Sequence, residues 1–158
     1  MNERELLLDE VWKSQDRAYD LICEYDSLPH KYGEHLLYQS EAYIIDLIAT
    51  SPNITITELS HITHKTTSAC SQTVSKLRNK NLVTQTRNKF NQREYKLSLT
   101  DEGKALYESH INLTTICRER FFNNLDDFSN EDLKIFINMQ NKMNEAYDRD
   151  IYESRNRL

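Results

Sequence analysis

The scarcity of helix-breaking residues constrains the fold of this chain more than any other feature. Its 158 residues include only two glycines and two prolines. Glycine and proline are the residues that most readily interrupt a helix. The four here lie between long stretches of helix-forming composition, at Pro29, Gly33, Pro52 and Gly103. We therefore expect a mainly helical fold, in a chain 1–158 whose length suits a single domain.

Apolar side chains recur at helical spacing in three long segments. The first predicts one amphipathic helix over residues 3–28, on the stripe Leu7, Val11, Ala18, Leu21, Ile22 and Tyr25. Two more long helices are expected after Thr100, as far as about Asp127, and from about Ser129. A small core cannot cover three such stripes, so pairing across a two-fold axis is expected. A monomeric bundle is the alternative.

Shorter helices are predicted between these segments. One begins at Ser40, as N-cap, and stops at Ser51. Thr55 and Glu58 have capping-box spacing and open a helix of about two turns. His61 to Thr66 then turns the chain, and a second helix follows, with Cys70, Thr73, Val74 and Leu77 facing inward. Its outward face is small, polar and neutral to basic, and consists of Thr67, Ser68, Ser71, Gln72, Ser75 and Lys76.

Basic residues are concentrated in one part of the chain. Between His61 and Thr100 there are eight Lys and Arg residues against one acid, although the net charge of the whole chain is −5. Such a segment favours a polyanionic partner, and duplex DNA fits best. In a major groove, Gln72 offers a donor and an acceptor to adenine, and Lys76 can meet phosphate or guanine. The alternative is a solvated face without a partner.

A two-stranded hairpin is predicted directly after this polar helix. One strand begins at Leu82, the other alternates over residues 95–99, and residues 88–92 have turn composition. A thin basic hairpin can place arginine in a narrow minor groove, where the potential is most negative. The predicted DNA contacts are Thr66, Thr67, Ser68, Ser71, Gln72, Ser75, Lys76, Arg87, Lys89 and Arg93.

Short motifs between Glu58 and Gly103 carry a family resemblance. They are Glu58-Leu59, Lys80-Asn81-Leu82-Val83, Asn91-Gln92-Arg93 and Leu99-Thr100-Asp101-Glu102-Gly103. In this run the chain resembles the MarR family of winged helix-turn-helix transcription regulators, with its KGLV, DxR and LTxEG patterns. The resemblance implies an α+β fold, mainly helical with a small β-hairpin wing. It also implies a DNA-binding lobe over 38–100 and dimerisation helices over 3–30 and 101–153.

The resemblance further implies how such a protein works. A homodimeric repressor would bind a pseudo-palindromic operator, with half-sites about one turn of duplex apart, and would be released by a small phenolic or anionic effector. The predicted effector-binding residues are Tyr32, Tyr38, Tyr43 and Tyr107. Core or interface positions are the alternative for these tyrosines.

Three departures from the family pattern bear on this interpretation. Asn91 replaces the wing aspartate that orients the arginine, which predicts a looser wing. Asn81 replaces a glycine, which left-handed backbone tolerates. Thr63 and Lys65 occupy apolar slots, which predicts a weakly packed turn unless Ile62 covers it. A winged-helix protein-interaction or corepressor module without operator recognition is therefore the alternative.

Other functions have less support in the sequence. Zinc-responsive relatives use an acid and a histidine where this chain has Ala42 and Tyr43, so no metal site and no cofactor are expected. Cys23 lies near the end of the first helix, which makes a cysteine-based redox sensor the less favoured alternative. Catalytic and phosphate-loop motifs are lacking, and we expect no enzyme. With no membrane-length apolar run and no signal-like start, a soluble cytoplasmic protein is expected.

Overall fold

The computed structural model describes residues 2–87 and 95–157, and it confirms the predicted mainly helical fold with a small hairpin. The elements are α1 (Glu3–Ser27), β1 (Pro29–Tyr32), β2 (His35–Tyr38), α2 (Gln39–Thr50), α3 (Ile56–Thr63), α4 (Thr67–Asn79), β3 (Val83–Arg87), β4 (Tyr95–Leu99), α5 (Asp101–Asn123) and α6 (Asn130–Asn156). The chain divides into two compact units, residues 1–114 and 115–158, with the boundary inside α5.

The first helix is well capped and mostly exposed. The Asn2 side chain accepts a hydrogen bond from the Glu5 amide at 2.9 Å, and the Glu5 carboxylate accepts one from the Asn2 amide at 2.9 Å. None of residues 3–27 is buried. Its large exposed apolar side chains are Leu6, Leu7, Leu8, Trp12, Tyr19, Leu21, Ile22 and Tyr25.

A short antiparallel hairpin, β1–β2, follows α1 and was not predicted from the sequence. Pro29 pairs with Tyr38 and Tyr32 with His35. The turn between the strands uses Gly33 at a positive φ of 59°, which glycine adopts without steric cost. Strands of four residues are too short to show a clear alternating pattern, and for this reason only the breakers Pro29 and Gly33 marked the region.

The core of the first unit lies among α2, α3, α4 and the two hairpins. Its largest fully buried side chains are Leu37, Ile44, Ile45, Leu59, Cys70, Val74, Leu77, Leu82 and Leu97. The second hairpin pairs β3 with β4, from Val83 opposite Leu99 to Arg87 opposite Tyr95. An isolated bridge between Thr55 and Lys96 adds the segment before α3 to this hairpin.

Helix α3 confirms its predicted start and corrects its predicted end. The Glu58 amide donates to Thr55 Oγ1 at 3.2 Å, and Glu58 Oε2 accepts from the Thr55 amide at 2.8 Å. The hydrogen bonds that Glu58 Oε2 accepts from the Thr55 amide and from the Thr55 hydroxyl, both at 2.8 Å, hold the pKa of the Glu58 carboxyl below its ordinary value. The helix continues through His61, which was expected in the turn, to Thr63. His64 ends it with a left-handed φ of 53°.

The last helix belongs wholly to the second unit. It begins near Ser129, as predicted, and Ser129 caps it, accepting a hydrogen bond from the Asp132 amide at 3.2 Å. Helix α5 ends at Asn123, earlier than predicted. None of residues 130–156 is buried. This unit contains an apolar cavity of about 430 Å³, lined by Phe121, Leu125, Phe128, Asp132, Leu133, Ile135, Phe136 and Met139.

Candidate nucleic-acid interface

Helix α4 presents one polar face to solvent and buries the other. Thr66 is its N-cap, and the Thr66 hydroxyl accepts a hydrogen bond from the Ala69 amide at 3.1 Å. Cys70, Val74 and Leu77 are buried, and Thr73 is partly buried. The predicted outward face is exposed at every position, Thr67, Ser68, Ser71, Gln72, Ser75 and Lys76. Short side chains along one face leave room for close approach of another surface.

The junction between α3 and α4 is polar, but it is not open. Ile62 is 44% exposed and does not cover the turn. Instead the Thr63 hydroxyl donates to the Leu59 carbonyl at 2.7 Å and lies 3.5 Å from the Cys70 sulfur. The hydroxyl of Thr63 is therefore hydrogen-bonded, and its side chain still contacts α4. A polar residue at this position does not prevent contact between the two helices.

The chain leaves α4 in a left-handed turn. Asn81 has a φ of 57°, as expected for asparagine in place of glycine. The Leu82 amide donates to the Leu77 carbonyl at 3.0 Å, and the Asn81 amide donates to the Arg78 carbonyl at 2.9 Å. These bonds satisfy carbonyls at the helix end and direct the chain into β3.

Arg87 lies exposed at the end of β3, opposite Tyr95. Its Nε donates to the Tyr95 hydroxyl at 3.2 Å, and its guanidinium carbon is 5.8 Å from the centre of the tyrosine ring. A guanidinium has five N–H donors, and this bond uses one of them. The other two predicted hairpin contacts, Lys89 and Arg93, lie outside the described residues, as does Asn91.

The basic residues counted in the sequence do not all remain available to a polyanion. Lys80 donates to Glu41 Oε1 at 3.2 Å, and the Glu41 side chain is only 9% exposed. Arg78 Nη1 donates to Gln85 Oε1 at 3.0 Å. Lys65, Lys76 and Arg87 are exposed. The positive surface beside α4 is therefore smaller than the sequence count suggested, because Lys80 balances a buried carboxylate.

The four tyrosines predicted to bind an effector occupy different surroundings. Tyr32 is buried and lines a cavity of about 190 Å³ with His35 and Glu102. Tyr107 lines a separate, open cavity of about 590 Å³. Tyr38 and Tyr43 are 49% and 43% exposed and line neither of these two cavities.

His110 is a half-buried titratable group beside Tyr32. Its ring stacks on Tyr32 with the centroids 5.3 Å apart, and its Nδ1 is buried without a hydrogen-bond partner. Burial lowers the pKa of His110, and the negative charge of Asp46 opposes this effect. Among the residues that the structure describes, no three His, Cys, Asp or Glu side chains are grouped so as to hold a metal ion.

The three cysteines are separate. Cys23 is exposed, Cys70 is buried and Cys117 is partly buried. The Cys23 thiol is hydrogen-bonded to Tyr19, and this bond raises the pKa of the tyrosine hydroxyl. No helix within residues 2–87 and 95–157 has both the length and the apolar character needed to cross a bilayer.

Two helices joined by a turn, with a hairpin directly after the second, define a winged helix-turn-helix protein. No family model matches the chain. A curated relative, the uncharacterized HTH-type transcriptional regulator YvnA of Bacillus subtilis (strain 168), is 30% identical over 95 residues. The match covers 60% of this chain and 60% of that protein, so it spans less than two thirds of the relative's length.

Solved structures place the fold more narrowly. ZitR of Lactococcus lactis, a zinc-responsive MarR family member, superposes with a TM-score of 0.75 at 14% identity, over 89% of this chain and 99% of that one. FabT of Streptococcus pneumoniae, solved in complex with DNA, gives a TM-score of 0.68 at 18% identity, over 92% and 98%. The chain therefore has the fold of the MarR family, as its motifs predicted.

Proposed function

We propose that this chain is a duplex-DNA-binding transcription regulator of the MarR family, and not an enzyme. The observation that carries the proposal is the polar face of α4, which is exposed at every position, while Cys70, Val74 and Leu77 on the other face are buried. Ser, Thr and Gln side chains on the exposed face of a helix suit base edges in a major groove. The DNA complex of FabT and the regulator description of YvnA support the same function.

The wing extends this interface in the proposal. Arg87 is exposed at the end of β3 and carries a charge that suits a phosphate or a narrow minor groove. Lys76 is exposed on α4, where it can meet phosphate. Thr66, Lys89 and Arg93 complete the proposed contacts on the strength of the sequence.

A homodimer is the proposed working form. Helices α1 and α6 have no buried residue within 3–27 and 130–156, yet both carry rows of large apolar side chains. Each such side chain contributes about 1.5 to 3 kcal/mol when it is buried. We therefore assign dimerisation to residues 3–30 and 101–153 and DNA binding to 38–100. The two copies of α4 would then contact operator half-sites about one turn of the DNA duplex apart.

A small effector that releases the DNA is also proposed. Tyr32 and Tyr107 line cavities and remain candidates for an aromatic or phenolic ligand. Tyr38 and Tyr43 are partly exposed, and this supports a role in an interface as well as it supports effector binding. Repression of transcription in the absence of effector, and a soluble cytoplasmic location, are part of the same proposal.

Selection of bound duplexes from a random pool tests the proposed function. The purified chain is mixed with random-sequence duplexes, and the bound fraction is amplified and sequenced over several rounds. We expect one enriched sequence with two-fold symmetry and half-sites about 10 base pairs apart. A protein-interaction or corepressor module would instead give no enrichment, and that result would refute operator recognition.

A further inference from the structure

The C-terminal end of α4 is tied to the β1–β2 hairpin at two points. Lys80 Nζ donates to the carbonyl oxygen of Leu36 at 3.1 Å. Asn81 Nδ2 donates to Glu102 Oε2 at 3.0 Å, and the other oxygen of Glu102 lies 2.8 Å from His35 Nε2. Two side-chain paths thus lead from the end of the helix to adjacent residues of one hairpin.

Glu102 is the bridging group of the second path. The hydrogen bond from Asn81 lowers the pKa of this carboxyl below its ordinary value, and the hydrogen bond with His35 lowers it further, by a smaller amount. An ionised carboxylate is an acceptor only, and each of its oxygens here takes one partner. The side chain is 46% exposed, so its two bonds are not required to satisfy a buried charge.

The first path differs because it does serve a buried charge. Glu41 accepts from Lys80 and also from the Tyr38 amide, at 3.1 Å, and its side chain is almost fully buried. Removing Lys80 would leave this carboxylate without its counter-charge, which is strongly destabilising. The Glu102 path is therefore the one that can be cut without unfolding the first unit.

We propose that Glu102 is a positioning residue for α4, linking Asn81 at the helix end to His35 on the β1–β2 hairpin. This inference rests on the proposed function, in which α4 reads base edges. Base readout requires a defined helix orientation, whereas contacts to phosphate carry no sequence information. Loss of the link therefore reduces discrimination between sequences and leaves sequence-independent binding in place.

Asn81→Gly is the sharpest variant for this link. Glycine accepts the φ of 57° at this position, and it keeps the backbone carbonyl that accepts from Thr100 Oγ1 at 2.7 Å. Of the two hydrogen bonds, the substitution removes only the one from the Asn81 side-chain amide to Glu102. The probes are the duplex that the wild-type chain enriches from a random pool and a scrambled duplex of equal composition. We expect the ratio of the two affinities to fall roughly three- to tenfold, with the affinity for the scrambled duplex unchanged.

Two variants of His35 test the other half of the link. His35→Gln retains a nitrogen donor close to the position of Nε2, and we expect it to keep the wild-type ratio. His35→Ala removes the donor and should lower the ratio as Asn81→Gly does. The double variant, Asn81→Gly with His35→Ala, should have the same affinity ratio as either single variant, because both substitutions interrupt the same path through Glu102. Lys104→Met is the matched control. It breaks an exposed ion pair with Asp101 on α5, the helix that carries Glu102, and should leave the affinity ratio unchanged.

The possible outcomes separate the positioning role from the proposed function. If the wild-type chain discriminates between the duplexes and Asn81→Gly discriminates equally well, the positioning role is refuted and the function stands. If the wild-type chain does not discriminate, the proposed function is refuted, and hydrogen exchange still tests whether Glu102 holds the end of α4. Amides of residues 77–80 should then exchange faster in Asn81→Gly than in Lys104→Met. Equal exchange rates would refute the positioning role of Glu102.

Discussion

Gly103 lies so close to Leu82 that a Cβ atom at residue 103 would collide with the Leu82 carbonyl oxygen. The same atom would lie 3.3 Å from the Cβ of Leu99. The Leu82 carbonyl also accepts a hydrogen bond from the Thr100 amide at 3.1 Å. Helix α5 can therefore begin directly over the start of β3 only because residue 103 lacks a side chain, which gives the glycine of the LTDEG motif a physical reason.

Gly103→Ala should destabilise the protein by about 3 kcal/mol, since backbone must move to admit the methyl group. Gly33→Ala is the matched control. Its Cβ would meet no atom within 4 Å, and its cost of about 1 kcal/mol comes from the positive φ alone. Urea unfolding measures both free energies. A Gly103→Ala variant that is no less stable than Gly33→Ala would show that α5 does not pack on Leu82 in this way.

Arg87→Ala should weaken binding to the selected and scrambled duplexes alike if Arg87 contacts phosphate, because a phosphate contact carries no sequence information. The slope of log affinity against log salt should fall by about 1 for each phosphate contact that is lost. Tyr95→Phe keeps the ring beside the guanidinium and removes the 3.2 Å bond. It should cost only about twofold in affinity. Fluorescence anisotropy across a salt series measures the affinity and the salt slope of both variants. An unaltered slope in Arg87→Ala would exclude a phosphate contact by Arg87.

The sequence predicted those elements whose signals are local. The capping box of Thr55 and Glu58, the helix start near Ser129 and the left-handed Asn81 were predicted correctly, because each depends on residues close together in the chain. The predicted N-cap at Ser40 was wrong, since α2 begins at Gln39 with Tyr38 as its N-cap. The β1–β2 hairpin was missed, since two strands of four residues give no periodic signal.

Pairings between distant residues could not be read from the sequence. Lys80 was one of the eight basic residues counted between His61 and Thr100, but it pairs with Glu41, which is 39 positions away. The link from His35 to Glu102 spans 67 positions. Such contacts depend on how helices and hairpins pack, which composition and periodicity do not specify.

His110 should make the stability of the protein depend on pH. Because burial lowers its pKa in the folded chain below the ordinary value of 6.5, the unfolded chain binds this proton first as the pH falls. The stabilisation is present above about pH 6.5 and is lost as the pH falls through the folded-state pKa. His110→Phe keeps a ring beside Tyr32 and removes the titrating group. Urea unfolding between pH 7 and pH 5 should show a flatter dependence in this variant, and an identical dependence would contradict the assignment.

Ile22→Glu should weaken dimerisation. Ile22 is 60% exposed on α1, within the apolar stripe assigned to the dimer, and a two-fold interface would bury two added carboxylates. Sedimentation equilibrium should show the dimer dissociation constant raised by roughly two orders of magnitude. Asp16→Lys, a charge change on the opposite face of α1, should leave it unaltered. A wild-type chain that is monomeric at micromolar concentration would contradict the proposed dimer.

Base readout by α4 is tested by the affinities of the wild-type chain and of Gln72→Ala for the selected and scrambled duplexes at one salt concentration. The wild-type chain should bind the selected duplex at least about 10³-fold more tightly. Gln72→Ala should reduce this ratio by roughly five- to a hundredfold, since a bidentate base contact is worth about 1 to 3 kcal/mol, and should bind the scrambled duplex as the wild-type chain does. Equal wild-type affinity for the two duplexes, or an unchanged ratio in Gln72→Ala, would contradict base readout by the exposed face of α4.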